Sequence, residues 1–241
     1  MNNIMTRSAV RFQEAAYNVT PNKINIFGLE ISETLVYTWA VMLIIILAAA
    51  IIRITVLRRF KIVPKGIQNV LEMFVEFSEK FTVSNLGKRG HAFAPYVFAV
   101  AIMIVGTSFV ELFGFRPPGS DINFTVALAL MSFVIINAFG FYYTGFLGRI
   151  KWFFKPKAFM FPINLATHAI IPVSLAFRLF GNMFAGMVVM HLIYSVTYLS
   201  FVIPAALSIY FNLFHVGIQT YIFLVLTLSF MEETVVFGTK R

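Results

Sequence analysis

One formal charge, Arg178, interrupts the run from 158 to 231, which holds no Asp, no Glu, no Lys and no second Arg. A single helix of that length would exceed ~100 Å at about 1.5 Å per residue. The hydrocarbon core of a bilayer is only about 30 Å thick, so the run must fold back on itself. The best break lies at 195–204, which predicts two spans at 160–194 and 203–236. Each is still longer than a bilayer requires, so the pair is expected as a long, tilted hairpin. An arginine at the centre of such a span costs roughly 2.5–3.5 kcal/mol on insertion scales. A chain that keeps it there is expected to use it.

Composition supports the membrane reading. The chain is 59% hydrophobic and 12% charged, with a mean hydropathy of +0.84, whereas soluble domains run near 45–50% apolar and about 25% charged. Its lack of cysteine removes disulfides and thiolate metal sites. The net charge of +9 is not a nucleic-acid signal, because the basic residues gather in loops beside apolar spans, where they set topology. No metal cluster or nucleotide-binding loop is visible, so a cofactor-free, non-catalytic chain is expected. The polar start lacks the pattern of a cleaved signal peptide.

Residues 1–241 read as one all-α polytopic membrane domain: an external segment at 1–33, then spans at 34–57, 92–115 and 122–147 before the final two. Between the first two spans, 66–82 places Ile67, Val70, Leu71, Phe74, Phe77 and Phe81 near helical spacing, with Glu72, Glu76 and Glu79 interleaved. That pattern predicts an amphipathic helix at the membrane surface; a docking helix facing solvent is the alternative. Residues 53–89 hold eight Lys/Arg and 149–157 hold four, the latter beside Trp152, Phe153 and Phe154. The opposite turns hold Arg116 alone. Positive-inside reasoning places the amino terminus outside and the carboxyl terminus in the cytoplasm, with Arg7, Arg11 and Lys23 dissenting mildly.

The last two spans carry a polar constellation. Ser174, Arg178 and Asn182 recur every fourth residue and share one helix face. Ser208, Asn212, His215 and Gln219 form a second stripe, and Glu233 falls near the same face. The expected picture is two offset aqueous half-paths separated by a fixed positive charge. Asn182, His191 and the 208–219 stripe would line the outer path; Ser174, His168 and Glu233 would line the inner one. A guanidinium is a permanent cation that blocks direct ion flow and attracts a carboxylate. No carboxylate at its depth in this chain is a convincing partner, which points to another subunit. For His168, Ser174 and Ser208 the bland alternative is a packing hydrogen bond.

At these residues the sequence resembles subunit a of F-type ATP synthases. Pro172-Val-Ser174-Leu-Ala-Phe-Arg178-Leu-Phe-Gly181-Asn182-Met-Phe-Ala-Gly186 carries the resemblance. Gln219-Thr-Tyr-Ile-Phe223, Asp121-Ile-Asn123-Phe-Thr125, and Gln68-Asn69 with Glu72 add to it. The resemblance spans about 25–235. It implies a stator subunit set against a ring of c subunits, with peripheral-stalk b subunits and a separate catalytic head as further partners. Arg178 would face the ring carboxylate, flanked by Asn182 and Gln219, and the translocated ion would be a proton, with Na⁺ the alternative. A bacterial plasma membrane is the expected location ahead of an organellar inner membrane.

Two positions depart from the family pattern. Met187 and Asn212 stand where Glu or His is frequent, and His191 and His215 lie one turn from each, so these histidines are expected to supply the titratable groups of the outer path. Glu111 stands where asparagine is common, and nothing in the sequence accounts for it. Two other classes compete. A self-contained channel or secondary transporter would need an internal repeat or a carboxylate for Arg178. A purely structural assembly subunit would leave Arg178 idle.

Overall fold

The computed structural model describes residues 23–26, 29–60, 66–113, 115–153, 159, 161–196 and 210–239. Strands β1 (Lys23–Ile26) and β2 (Leu29–Ser32) form a small antiparallel hairpin with Lys23 opposite Ser32, an element the sequence reading does not supply. Helix α1 (Glu33–Ile51) follows at once and ends in a wide π turn, Ile52–Val56. Helix α2 (Ile67–Leu86) leads through a 3₁₀ stretch, Gly87–Phe93, into α3 (Ala94–Phe109) and a final 3₁₀ turn, Val110–Phe113. Helix α4 (Ile122–Phe153) is bent at Gly145, whose φ of +70° favours glycine. Helices α5 (Phe161–Val196) and α6 (Val216–Thr239) complete the bundle, α6 preceded by a π turn, Tyr210–His215. Five helical runs among the described residues are long and apolar enough to cross a membrane. The chain is an all-α polytopic membrane protein.

Helix α4 is the hub. It packs along both α5 and α6, while α5 and α6 touch each other over a much smaller area. Ile136 and Phe139 of α4, Leu175 and Leu179 of α5, and Phe223, Leu228 and Met231 of α6 are almost fully buried together. Lipid is as apolar as these side chains, so close packing and interhelical hydrogen bonds hold such a bundle rather than escape from water. The Tyr96 hydroxyl of α3 donates to Ser132 Oγ of α4 at 2.7 Å. A Cβ at Gly90 would lie 2.7 Å from the Thr82 carbonyl oxygen, so only glycine lets the 3₁₀ stretch close onto α2.

Helix α2 exposes Ile67, Val70, Phe74 and Phe77. Phe81, at its far end, packs on Tyr221 of α6 with ring centroids 5.8 Å apart. Its first charges pair locally, Glu76 with Lys80 at 2.7 Å, and Gln68 Nε2 donates to Glu72 at 2.8 Å.

One carboxylate joins the start of α1 to the start of α4. Asp121 is 8% exposed. Its Oδ1 accepts the Asn123 N–H at 2.9 Å, and its Oδ2 accepts the hydroxyls of Ser32 (3.1 Å) and Thr34. Arg116 donates to Ser120 Oγ at 3.2 Å beside it. Burial pulls the Arg116 guanidinium below its ordinary value, while Asp121 and Glu33 push it back up. Helix α1 is largely uncovered, and this clamp ties down its first turn. Losing an N-cap acceptor costs about 1 kcal/mol, and each buried hydroxyl left without an acceptor adds about 1–3 kcal/mol. Asp121→Ala is therefore expected to lower the thermal midpoint of the detergent-extracted protein clearly. Asp121→Asn, which keeps an acceptor oxygen, should lose much less.

Candidate functional site

Helix α5 is built around a proline and an arginine. Pro172 has no N–H to offer the carbonyl of His168 four residues back, which loosens the helix at that level. At 36 residues the helix is about 54 Å long, well beyond the bilayer core. Leu175, Leu179, Met183 and Met187 recur at four-residue spacing and form its buried face. The adjoining face turns away from the bundle and carries Phe177 (59% exposed), Gly181 and Ala185.

Arg178 sits at the border of these faces, half-buried. Among the described residues its guanidinium makes no hydrogen bond and no ion pair, although a guanidinium has five donors. One turn further along, Asn182 Nδ2 donates to Gln219 Oε1 and bridges α5 to α6. Gln219 is 1% exposed, and its Nε2 is buried with no hydrogen-bond partner among the described residues. An amide with an unused donor is therefore bonded to the residue one helical turn from a guanidinium with unused donors. The arrangement suits an acceptor, and above all a carboxylate, arriving from outside the chain.

The other sequence-predicted residues are distributed unevenly. Ser174 is half-buried on the Arg178 face. His215 is half-buried one turn before Gln219. The π turn Tyr210–His215 departs from the α spacing on which the 208–219 stripe was drawn. Ser208 and the side chains of Asn212 and His191 lie outside the described residues. Glu233 is exposed, while Met231 and Thr234 beside it are buried.

His168, expected on the inner path, turns instead toward α4. It is 6% exposed, its Nε2 lies 2.8 Å from Asn137 Oδ1, and its ring packs on Phe133 at 5.0 Å. Asn137 Nδ2 is already committed to the Phe133 carbonyl at 2.9 Å, so the histidine donates through Nε2. Sequence reasoning passed over Asn137; a lone amide in the apolar stretch 124–147 was the available signal.

Comparison with known proteins places the chain in a family. The family described as ATP synthase A chain matches residues 35–232. The chain is 33% identical over 206 residues to the ATP synthase subunit a of Moorella thermoacetica, covering 85% of this chain and 91% of that one. It is 31% identical over 226 residues to a protein of Propionigenium modestum named ATP synthase subunit a, sodium ion specific, covering 87% and 76%. It is 30% identical over 208 residues to the subunit a of Trichlorobacter lovleyi, covering 83% and 86%. The chain belongs to the ATP synthase A chain family, the multi-pass membrane subunits that serve as the ion-translocating stator of the Fo sector.

Proposed function

We propose that this chain forms two offset half-channels against a ring of c subunits, with Arg178 between them. A cation enters from the outer side, neutralises a ring carboxylate, travels with the ring and leaves by the inner path. Arg178 engages each carboxylate that has just lost its cation and prevents direct flow between the paths. Asn182 and Gln219 flank that contact. His215, His191, Asn212 and Ser208 serve the outer path; Ser174 and Glu233 serve the inner one. The translocated ion is a proton, and the amino terminus faces outward from a bacterial plasma membrane. The b subunits of the peripheral stalk hold the chain against the turning ring.

The observation that carries this reading is Arg178 itself, half-buried yet without a hydrogen bond or ion pair among the described residues. A self-contained channel would supply the counter-charge within the chain. The voltage drop contributes about 2.3 kcal/mol per charge per 100 mV, which the ring turns into torque on the catalytic head.

The absence of native cysteine allows a clean test. Phe177→Cys, Gly181→Cys and Ala185→Cys, placed singly on the outward face of α5, are expected to cross-link to ring subunits carrying a cysteine on their outer helix. Leu47→Cys, exposed on α1, should not. Cross-linking absent from all three α5 positions would overturn the reading.

A further inference from the structure

We propose that Glu111 is a further station for the translocated cation on the outer path, lying at the level of Met187. This inference rests on the half-channel reading above, and its geometry begins with α3. Val97, Val100, Ile104, Thr107 and Ser108 are almost fully buried and form the stripe that α3 turns to the bundle. Glu111 lies four residues beyond Thr107 and three beyond Ser108, in the 3₁₀ turn Val110–Phe113, so it continues that stripe by one turn.

Ser108 shows what the stripe meets. Its Oγ lies 4.0 Å from Met183 Sδ of α5, next in sequence to Asn182. The turn Pro118–Ser120 closes over the same place, where a Cβ on Gly119 would come within 2.9 Å of Met183 Cγ. Helices α3 and α5 run in the same direction across the membrane, because two spans separate their starts. One turn outward from Ser108 is Glu111; one turn outward from Met183 is Met187. The buried apolar Met187 supplies no titratable group at that level, and Glu111 supplies a carboxylate.

That carboxylate is half-buried and makes no hydrogen bond or ion pair among the described residues. The cation nearest to it in sequence is committed elsewhere, with Arg116 on Ser120 and in the field of Asp121 and Glu33. A structural carboxylate in such a setting acquires donors, as Asp121 has. Glu111 has acceptors to spare, and a cation is what they fit. It takes up the translocated cation from the outer side and releases it toward the Asn182–Gln219 bridge and the ring.

The test uses the assembled complex in membrane vesicles, measuring cation flux driven by an imposed potential. The parent chain is compared with Glu111→Gln, Glu111→Asp, the double variant Glu111→Gln with Met187→Glu, and Arg178→Ala. ATP hydrolysis by each complex checks assembly. Glu111→Gln keeps shape and polarity but loses the charge. Its flux should fall about a hundredfold, the lower end of what a positioned proton-transfer group contributes, and Glu111→Asp should retain most of it. Met187→Glu should restore flux to the Gln variant, because it returns a carboxylate to the same level from the facing helix. Parental flux in Glu111→Gln overturns the proposal, as does a loss in an assembled complex that Met187→Glu leaves unrestored. Arg178→Ala, read by ATP-driven pumping because its loss opens a direct path to passive flow, separates the two readings: parental pumping there sinks the half-channel mechanism itself, while a loss there beside an unaffected Glu111→Gln removes only the Glu111 station.

Discussion

Arg178→Ala is expected to abolish ATP-driven ion pumping in membrane vesicles while ATP hydrolysis by the assembled complex persists. The loss follows from electrostatics rather than from folding. Two unit charges 4 Å apart interact by about 4 kcal/mol at an effective dielectric near 20, so removing one weakens the rotor contact by roughly a thousandfold at 1.4 kcal/mol per decade. The half-buried guanidinium makes no hydrogen bond or ion pair among the described residues, so truncation breaks none of those links within the bundle. Arg178→Lys keeps the charge but not the planar fork that grips both oxygens of a carboxylate, and it should fall between parent and alanine. Undiminished pumping in Arg178→Ala would return the chain to a structural role.

Gln219→Leu is expected to cut pumping about tenfold, the equivalent of 1.4 kcal/mol. Gln219 is nearly fully buried and accepts a side-chain hydrogen bond that bridges α5 and α6. Because the two helices touch so little elsewhere, that bond does much to set the position of Asn182, and through it of Arg178 one turn away. A leucine leaves the Asn182 donor without its acceptor, at about 1–3 kcal/mol. Asn182→Leu should have a similar effect, and the double variant should be far from additive, with a coupling of about 0.5–3 kcal/mol. Additive losses would mean that the two amides act separately.

The candidate functional centre was legible in the sequence for a simple reason. A lone arginine in a long uncharged run is costly in lipid whatever the fold, so its presence announces a use. The spans were legible from the length of their apolar runs, which reflect bilayer thickness. The four-residue spacing of Ser174, Arg178 and Asn182 likewise follows from helix geometry alone.

Other features depend on which helix lies beside which, and local spacing carries no such information. The His168 ring meets Asn137 because α4 packs there, not the aqueous path its depth suggested. A π turn, Tyr210–His215, interrupts the α spacing assumed before Gln219, and hydropathy does not register it. Asp121 holds α1 through Ser32 and Thr34, residues far from it in the chain. Glu111 acquires meaning only when Ser108 is seen against Met183. The sequence by itself determined the membrane class and singled out Arg178 as a candidate, because lipid penalises each charge and each unpaired backbone group locally. The tertiary structure decided the partners that His168, Asn182 and Asp121 find across elements, because a hydrogen bond between helices depends on their packing and not on their periodicity.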